Sequence, residues 1–151
     1  MAEGAVEVEV RQRAVPMLSY QDVGAAVEWL TKTFGFRERG QRYTEPDGTV
    51  THAELELDGA EVMLGWPGPD YRGPSRHAQA CDQASKWLAV PYVVDGVLVY
   101  VKDLDLHYLQ AKEAGADILR EPKDEPYGRL YNAADIEGHR WMFMQVPAEP
   151  R

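Results

Sequence analysis

Cysteine is nearly missing from this 151-residue chain. The single Cys81 excludes an internal disulfide framework and points to a reducing compartment. Basic charge is also scarce, with 16 Lys and Arg against 25 Asp and Glu and a formal net charge of -9. No segment concentrates Lys or Arg, which argues against a nucleic-acid or anionic-membrane partner, because phosphate surfaces are held through clustered cations. Long apolar runs are missing too. Nothing approaches the roughly 20 apolar residues that span a bilayer, so no membrane association is expected. The opening MAEGAVEVEVRQR has neither the basic start nor the apolar stretch of a secretory leader, so the expected location is cytoplasmic. An acidic protein of this kind is suited to neutral or cationic small molecules.

What is present is organised by turns and caps. Residues 1–13 form a tail or an extra edge strand, with no function placed there. The run from Ala14 to Tyr20 has strand character, and Asp22 caps a helix whose Val23, Ala26, Val27, Leu30 and Phe34 recur at helical spacing until Gly35 stops it. Strands are predicted at Phe36–Thr44, Thr49–Leu57 and Ala60–Gly65, joined by the Glu45-Pro46-Asp47-Gly48 and Asp58-Gly59 turns. Residues 14–66 thus make a β-α-β-β-β module. Residues 67–95 are a linker opening on turn-rich WPGPDYRGPS and carrying a helix-compatible RHAQACDQASKWL. Structureless connections beyond about 12–15 residues are usually lids or linkers. The pattern then restarts over residues 96–146: a strand at Val97–Val101, Asp103 as helix cap, Gly115 as stop, and strands at Ala116–Glu121, Tyr127–Ala133 and His139–Gln145. Residues 147–151 are a second tail.

The restart is an internal repeat. Asp22 and Asp103 stand 81 residues apart, Gly35 and Gly115 stand 80 apart, and Gly59 and Gly138 stand 79 apart. The same shifts pair Met17 with Leu98, Ser19 with Tyr100, Glu61 with Arg140 and Met63 with Met142. The expected fold class is α+β: two tandem β-α-β-β-β modules forming a cup-shaped mixed sheet with helices on its outer face, and the site inside the cup.

The paired modules, the strand-to-helix Asp of each, and the terminal YGRLYNAADIEGHRWMF resemble the glyoxalase, bleomycin-resistance and extradiol-dioxygenase superfamily, the vicinal oxygen chelate proteins, from about Ala14 to Gln145. The terminal motif is specific for the superfamily and says little about which of its functions applies. The resemblance implies a divalent metal held by His, Gln or Glu on the first and fourth strands of each module. Those positions fall here on Val15, Met63, Gly96 and Met142, none of which ligates a hard or borderline divalent ion. The metal-dependent chemistries of the superfamily need that ion as Lewis acid or template. The resemblance therefore leans away from an enzyme and toward members that bind a small molecule, with no cofactor. It also implies a homodimer, since a second chain commonly completes the cup. The alternatives are a lyase, isomerase or dioxygenase with a non-standard site, and a purely structural dimer.

Alternation along the strands predicts a cup lined by Met17, Ser19, His52, Glu54, Met63, Leu98, Tyr100, Tyr131, Arg140 and Met142, with Trp66, Trp87 and Tyr92 at its mouth. Met adapts to irregular ligands and aromatic rings offer stacking faces, so a hydrophobic, aromatic or cationic molecule is the expected ligand. Three other groupings carry chemistry on paper. His52, Glu54, Glu56 and Glu61 form a possible relocated metal set, against the plainer reading of charges on a half-exposed strand. His77 and Cys81 lie four apart in helix-compatible sequence, the spacing of a zinc or nucleophile pair, against the plainer reading of a lone buried cysteine beside a surface histidine. His139 follows a turn glycine and resembles a base, but its alternation with Trp141 predicts a structural histidine on the helix side.

Overall fold

The computed structural model describes residues 12–90 and 95–147. The first module runs β1 (Met17–Ser19), α1 (Val23–Phe34), β2 (Arg37–Thr44), β3 (Val50–Leu57) and β4 (Ala60–Gly65). A connection with two short helices, α2 (Pro74–Ala80) and α3 (Asp82–Leu88), leads to β5 (Gly96–Val101), α4 (Leu104–Glu113), β6 (Asp117–Glu125), β7 (Gly128–Ala134) and β8 (Arg140–Gln145). This is the expected mixed α+β architecture of two tandem β-α-β-β-β units. What was expected of residues 1–13 falls mostly outside the described residues, as do residues 91–94 and 148–151.

The repeat holds at the level of backbone conformation. Asp22 and Asp103 have nearly the same dihedral angles, φ -137° and -134°, and each side chain accepts a hydrogen bond from the third amide of its helix, Ala25 N at 2.9 Å and Leu106 N at 3.1 Å. Both satisfy an amide that a helix start otherwise leaves without a partner. Gly35 and Gly115 both sit at positive φ, 82° and 102°, where a side chain would be strained as the chain leaves the helix.

The eight strands divide into two four-stranded sheets, ordered β1-β4-β3-β2 and β5-β8-β7-β6. In each, the first strand pairs parallel with the fourth, setting Met17 beside Met63 and Leu98 beside Met142. These are pairs that the repeat aligns. The two sheets turn their helix-bearing faces toward one shared core. Val23, Val27 and Leu30 of α1, Ala53, Leu55 and Leu64 of the first sheet, Val99, Trp141 and Phe143 of the second, and Leu104 and Ala111 of α4 belong to one apolar cluster. Phe34, at the end of α1, reaches across to the other module, its ring 4.8 Å from that of Phe143 and 5.8 Å from that of Trp141.

Polar contacts lock the same junction. Asp135, buried in the β7–β8 turn, accepts from Tyr20 Oη at 2.6 Å, Trp141 Nε1 at 3.0 Å and the amides of Glu137 and His139, both at 3.0 Å. His107 of α4 bonds the Phe34 carbonyl through Nε2 at 2.7 Å and the Tyr131 hydroxyl through Nδ1 at 2.7 Å. With the helix faces committed to each other, the opposite face of each sheet lies away from that core, partly exposed on the first sheet, and on the second exposed at Leu98 and Tyr100 of β5 but buried at Leu130, Asn132, Arg140 and Met144. Each module thus contributes one such face from its own four-stranded sheet.

Candidate functional site: two open sheet faces

On the first sheet, β3 buries Ala53 and Leu55 in the core and turns His52, Glu54 and Glu56 to the open face, as period-two alternation requires. The register sets Glu54 between Arg39 and Met63, and His52 between Tyr43 and Gly65. Met17 beside Met63 is 76% exposed, and Ser19 lies level with Gly65. This face is rich in charge that pairs within itself. Arg37 meets Glu56 at 2.5 Å, Arg39 forms an ion pair with Glu61, and His52 Nε2 lies 3.7 Å from Glu54 Oε1, with the Tyr43 ring 5.7 Å from the imidazole. Glu56 and Glu61 are thus engaged by arginines and do not join His52 and Glu54 in a ligand set.

The second open face is different. β5 alternates sharply, Val97, Val99 and Val101 buried and Gly96, Leu98 and Tyr100 exposed, with Leu98 at 45% and Tyr100 at 49%. Beside them on β8 lie Arg140, Met142 and Met144, and on β7 Leu130, Asn132 and Ala134. Arg120 Nε donates to Asn132 Oδ1 at 2.8 Å, so the charge of that row sits at its edge. The face is mostly apolar.

Tyr131 requires a correction. It was expected in the cup, yet it pairs with Phe143, is fully buried, and stacks on that ring at 5.3 Å on the helix side. Burial holds its hydroxyl pKa well above the ordinary tyrosine value. Its neighbours Leu130 and Asn132 take the open face instead. Leu130 through Ala134 are all buried, so this strand has no polar side to set its phase. Asn132, Arg120 and Leu130 are the open-face residues that reasoning from sequence missed. The signal that finds them is the pairing of β7 with β8, because Trp141 and Phe143 mark the core side unmistakably.

The two linker tryptophans separate. Trp66 packs against the core and lines a groove of about 590 Å³ with Asp22, Val23 and Thr49. Trp87 is half-exposed on α3 and lines an apolar pocket of about 400 Å³ with Tyr71, Arg72, Pro74, His77 and Leu88. Tyr92 lies outside the described residues. His77 and Cys81 do not share a helix face: α2 ends at Ala80, and Cys81 is extended at φ -144° between two helices. His139 lies on the helix side as expected, and its ring secures the first module. Its Nε2 bonds the Ser19 carbonyl at 2.6 Å, and its ring meets Tyr20 edge-on at 4.6 Å.

The family model of the Glyoxalase/Bleomycin resistance protein/Dioxygenase superfamily matches residues 13–143. The chain belongs to that superfamily. An uncharacterized protein of Mycobacterium bovis is 30% identical over 147 residues, spanning 94% of this chain and 88% of its own length. TioX from Micromonospora sp. ML1 shares 34% identity, with a TM-score of 0.65 over 89% of this chain and 98% of its own. TnmS3, an antibiotic binding protein from Streptomyces sp. CB03234, is similar in fold, with 18% identity and a TM-score of 0.58 over 92% of this chain and all (100%) of its own.

Membership in the glyoxalase superfamily raises the question of a divalent ion, and the donor chemistry answers it for the usual positions. Val15 just before β1, Met63 on β4, Gly96 on β5 and Met142 on β8 offer alkyl groups, thioethers and a bare backbone. A hard or borderline ion wants imidazole or carboxylate, so these residues do not fit it. Among the described residues, no group of three or more His, Cys, Asp or Glu side chains is placed to hold a metal. No described helix is long and apolar enough to cross a membrane.

Proposed function

We propose that this glyoxalase-superfamily protein binds and sequesters a small hydrophobic or aromatic molecule, without a resident metal, on its open sheet faces. The observation that carries the reading is the second open face, where Leu98 and Tyr100 stand exposed on β5 beside the half-buried Met142, with Met144 buried next to them. Contiguous exposed apolar surface on a small protein usually marks a binding site, and Met with Tyr makes an adaptable, stackable lining. TnmS3 supports the reading at the level of the fold, which there serves to hold an antibiotic. Ligand contacts are assigned to Met17, Ser19, His52, Glu54 and Met63 on the first face and to Leu98, Tyr100, Arg140 and Met142 on the second, with Trp66 and Trp87 nearby.

In this reading a second copy closes the cup over these faces. A homodimer that sets the first sheet of one copy opposite the second sheet of the other is the simplest closed arrangement. The cytoplasm, where the lone cysteine stays reduced, is the proposed location. The test combines sedimentation, metal analysis of protein purified without chelator, and titration with flat aromatic probes followed by tryptophan fluorescence. The reading expects a dimer, no stoichiometric metal and saturable binding. Stoichiometric divalent metal on an open face overturns it.

A catalytic alternative rests on one observation, the closeness of His52 and Glu54 on the first open face. It requires a turnover, found by substrate screening, that His52→Ala and Glu54→Ala each abolish while the fold is kept. Full activity in both variants removes these residues from the chemistry.

A further inference from the structure

Among the described residues, Arg140 is the strongly polar group on the second open face that its surroundings leave unanswered. It lies level with Gly96 on one side and Ala134 on the other, and its residue is only 6% exposed. Nη2 donates to the Leu88 carbonyl at the end of α3, while Nε and Nη1 are buried with no hydrogen-bond partner. Asp117 lies in the same row of the sheet and draws on the charge at a distance, but forms no ion pair with it among the described residues. A guanidinium cannot shed its charge to escape burial, so burying it with empty donors is expensive unless an acceptor arrives.

The repeat supplies an internal control. Position 140 corresponds to Glu61 in the first module, and there the charge is met by Arg39 across the sheet. The same place in the fold is satisfied once and left open once. We propose that Arg140 receives an anionic or strongly accepting oxygen, such as a carboxylate or phenolate, of the apolar molecule held on this face. This rests on the binding function proposed above and makes the ligand an aromatic acid rather than the cation that the net charge of -9 suggests. Net charge acts through a field screened within about 8–10 Å in physiological salt, whereas a buried donor acts at contact. The cover is light: neither α2 nor α3 buries a single residue, so exposing the guanidinium sacrifices little packing.

The test titrates 2-naphthoate, 2-naphthamide and 2-naphthylmethylamine into the full chain, wild type, Arg140→Met and Arg140→Lys, by calorimetry, with a thermal melt of each free variant. Naphthoate is expected to bind wild type about tenfold more tightly than naphthamide, the scale of a charge-assisted hydrogen bond. Arg140→Met erases that preference by weakening naphthoate more than naphthamide, and does not lower the melting temperature, since an unpaired buried charge has been removed. Arg140→Lys keeps part of the preference. If the amide or the amine binds wild type as well as the acid, Arg140 is not the anchor, although the binding function stands. If no probe binds, the binding function itself fails and this assignment with it. If Arg140→Met melts early and loses every probe alike, Arg140 is a structural prop and the proposal is overturned.

Discussion

The two open sheet faces follow one plan, strand for strand, and yet carry opposite chemistry. The first pairs its charges internally, Arg37 with Glu56, Arg39 with Glu61 and His52 beside Glu54. The second is mostly apolar and keeps one buried cation without a full set of acceptors. A repeated fold fixes where side chains point, and leaves what they are free to vary. One face answers its own charges, whereas the other leaves donors of Arg140 unmet, so under the proposed function the stronger polar anchor belongs to the second face.

The largest loss is expected at the junction that joins the two modules. Asp135→Ala removes the acceptor shared by Tyr20, Trp141 and two backbone amides, and should cost about 3–5 kcal/mol in urea unfolding, the range for cutting a buried polar network. A loss near zero would mean that the modules are held by apolar packing alone. Next comes the contrast at equivalent positions. Arg39→Met should destabilise by about 1–3 kcal/mol by stranding Glu61, whose side chain is only 12% exposed. The parallel change Arg140→Met should cost nothing. Equal losses at both positions would erase the distinction between a paired and an unpaired face.

A third test addresses the apolar character of the second face. Leu98→Asp should weaken binding of a neutral aromatic probe roughly tenfold, the worth of about 1.4 kcal/mol of apolar contact, without shifting the unfolding midpoint, because Leu98 is already exposed. Unchanged affinity would move the ligand elsewhere.

The smallest effect concerns acidity. Burial depresses the His107 pKa below its ordinary 6.5, partly offset by its bond to the Phe34 carbonyl and by Asp58. The unfolded chain therefore takes up a proton more readily than the folded one. Stability from this residue is fully present above pH 6.5 and is lost as pH falls from there toward the depressed folded value. Urea midpoints of wild type and His107→Gln should diverge least at acid pH. A wild-type midpoint that rises between pH 6.5 and 5 relative to the variant would contradict this assignment.

Most of the architecture was legible in the sequence, because its signals are local. A helix cap acts over three residues, a left-handed glycine over one, and strand alternation over two, so Asp22, Asp103, Gly35, Gly115 and the β3 and β5 patterns could be found without tertiary information. Two things were not legible for definite reasons. Tyr131 lies on a strand buried on both faces, where alternation has no polar side to mark. Cys81 breaks what looked like one helix, because neither flanking segment has an apolar stripe to bury and so nothing required the helix to continue.

The sequence by itself determined the duplicated β-α-β-β-β plan, the absence of metal donors at Val15, Met63, Gly96 and Met142, and the core side of the final strand. It took the folded contacts to bring the helix faces of the two modules together, and to leave Arg140 buried with donors to spare while Glu61 is paired. The physical reason is the range of the interactions. Caps and alternation are settled between near neighbours along the chain, whereas burial and charge pairing depend on which distant surfaces come into contact, and Phe34 against Phe143 joins residues more than a hundred positions apart.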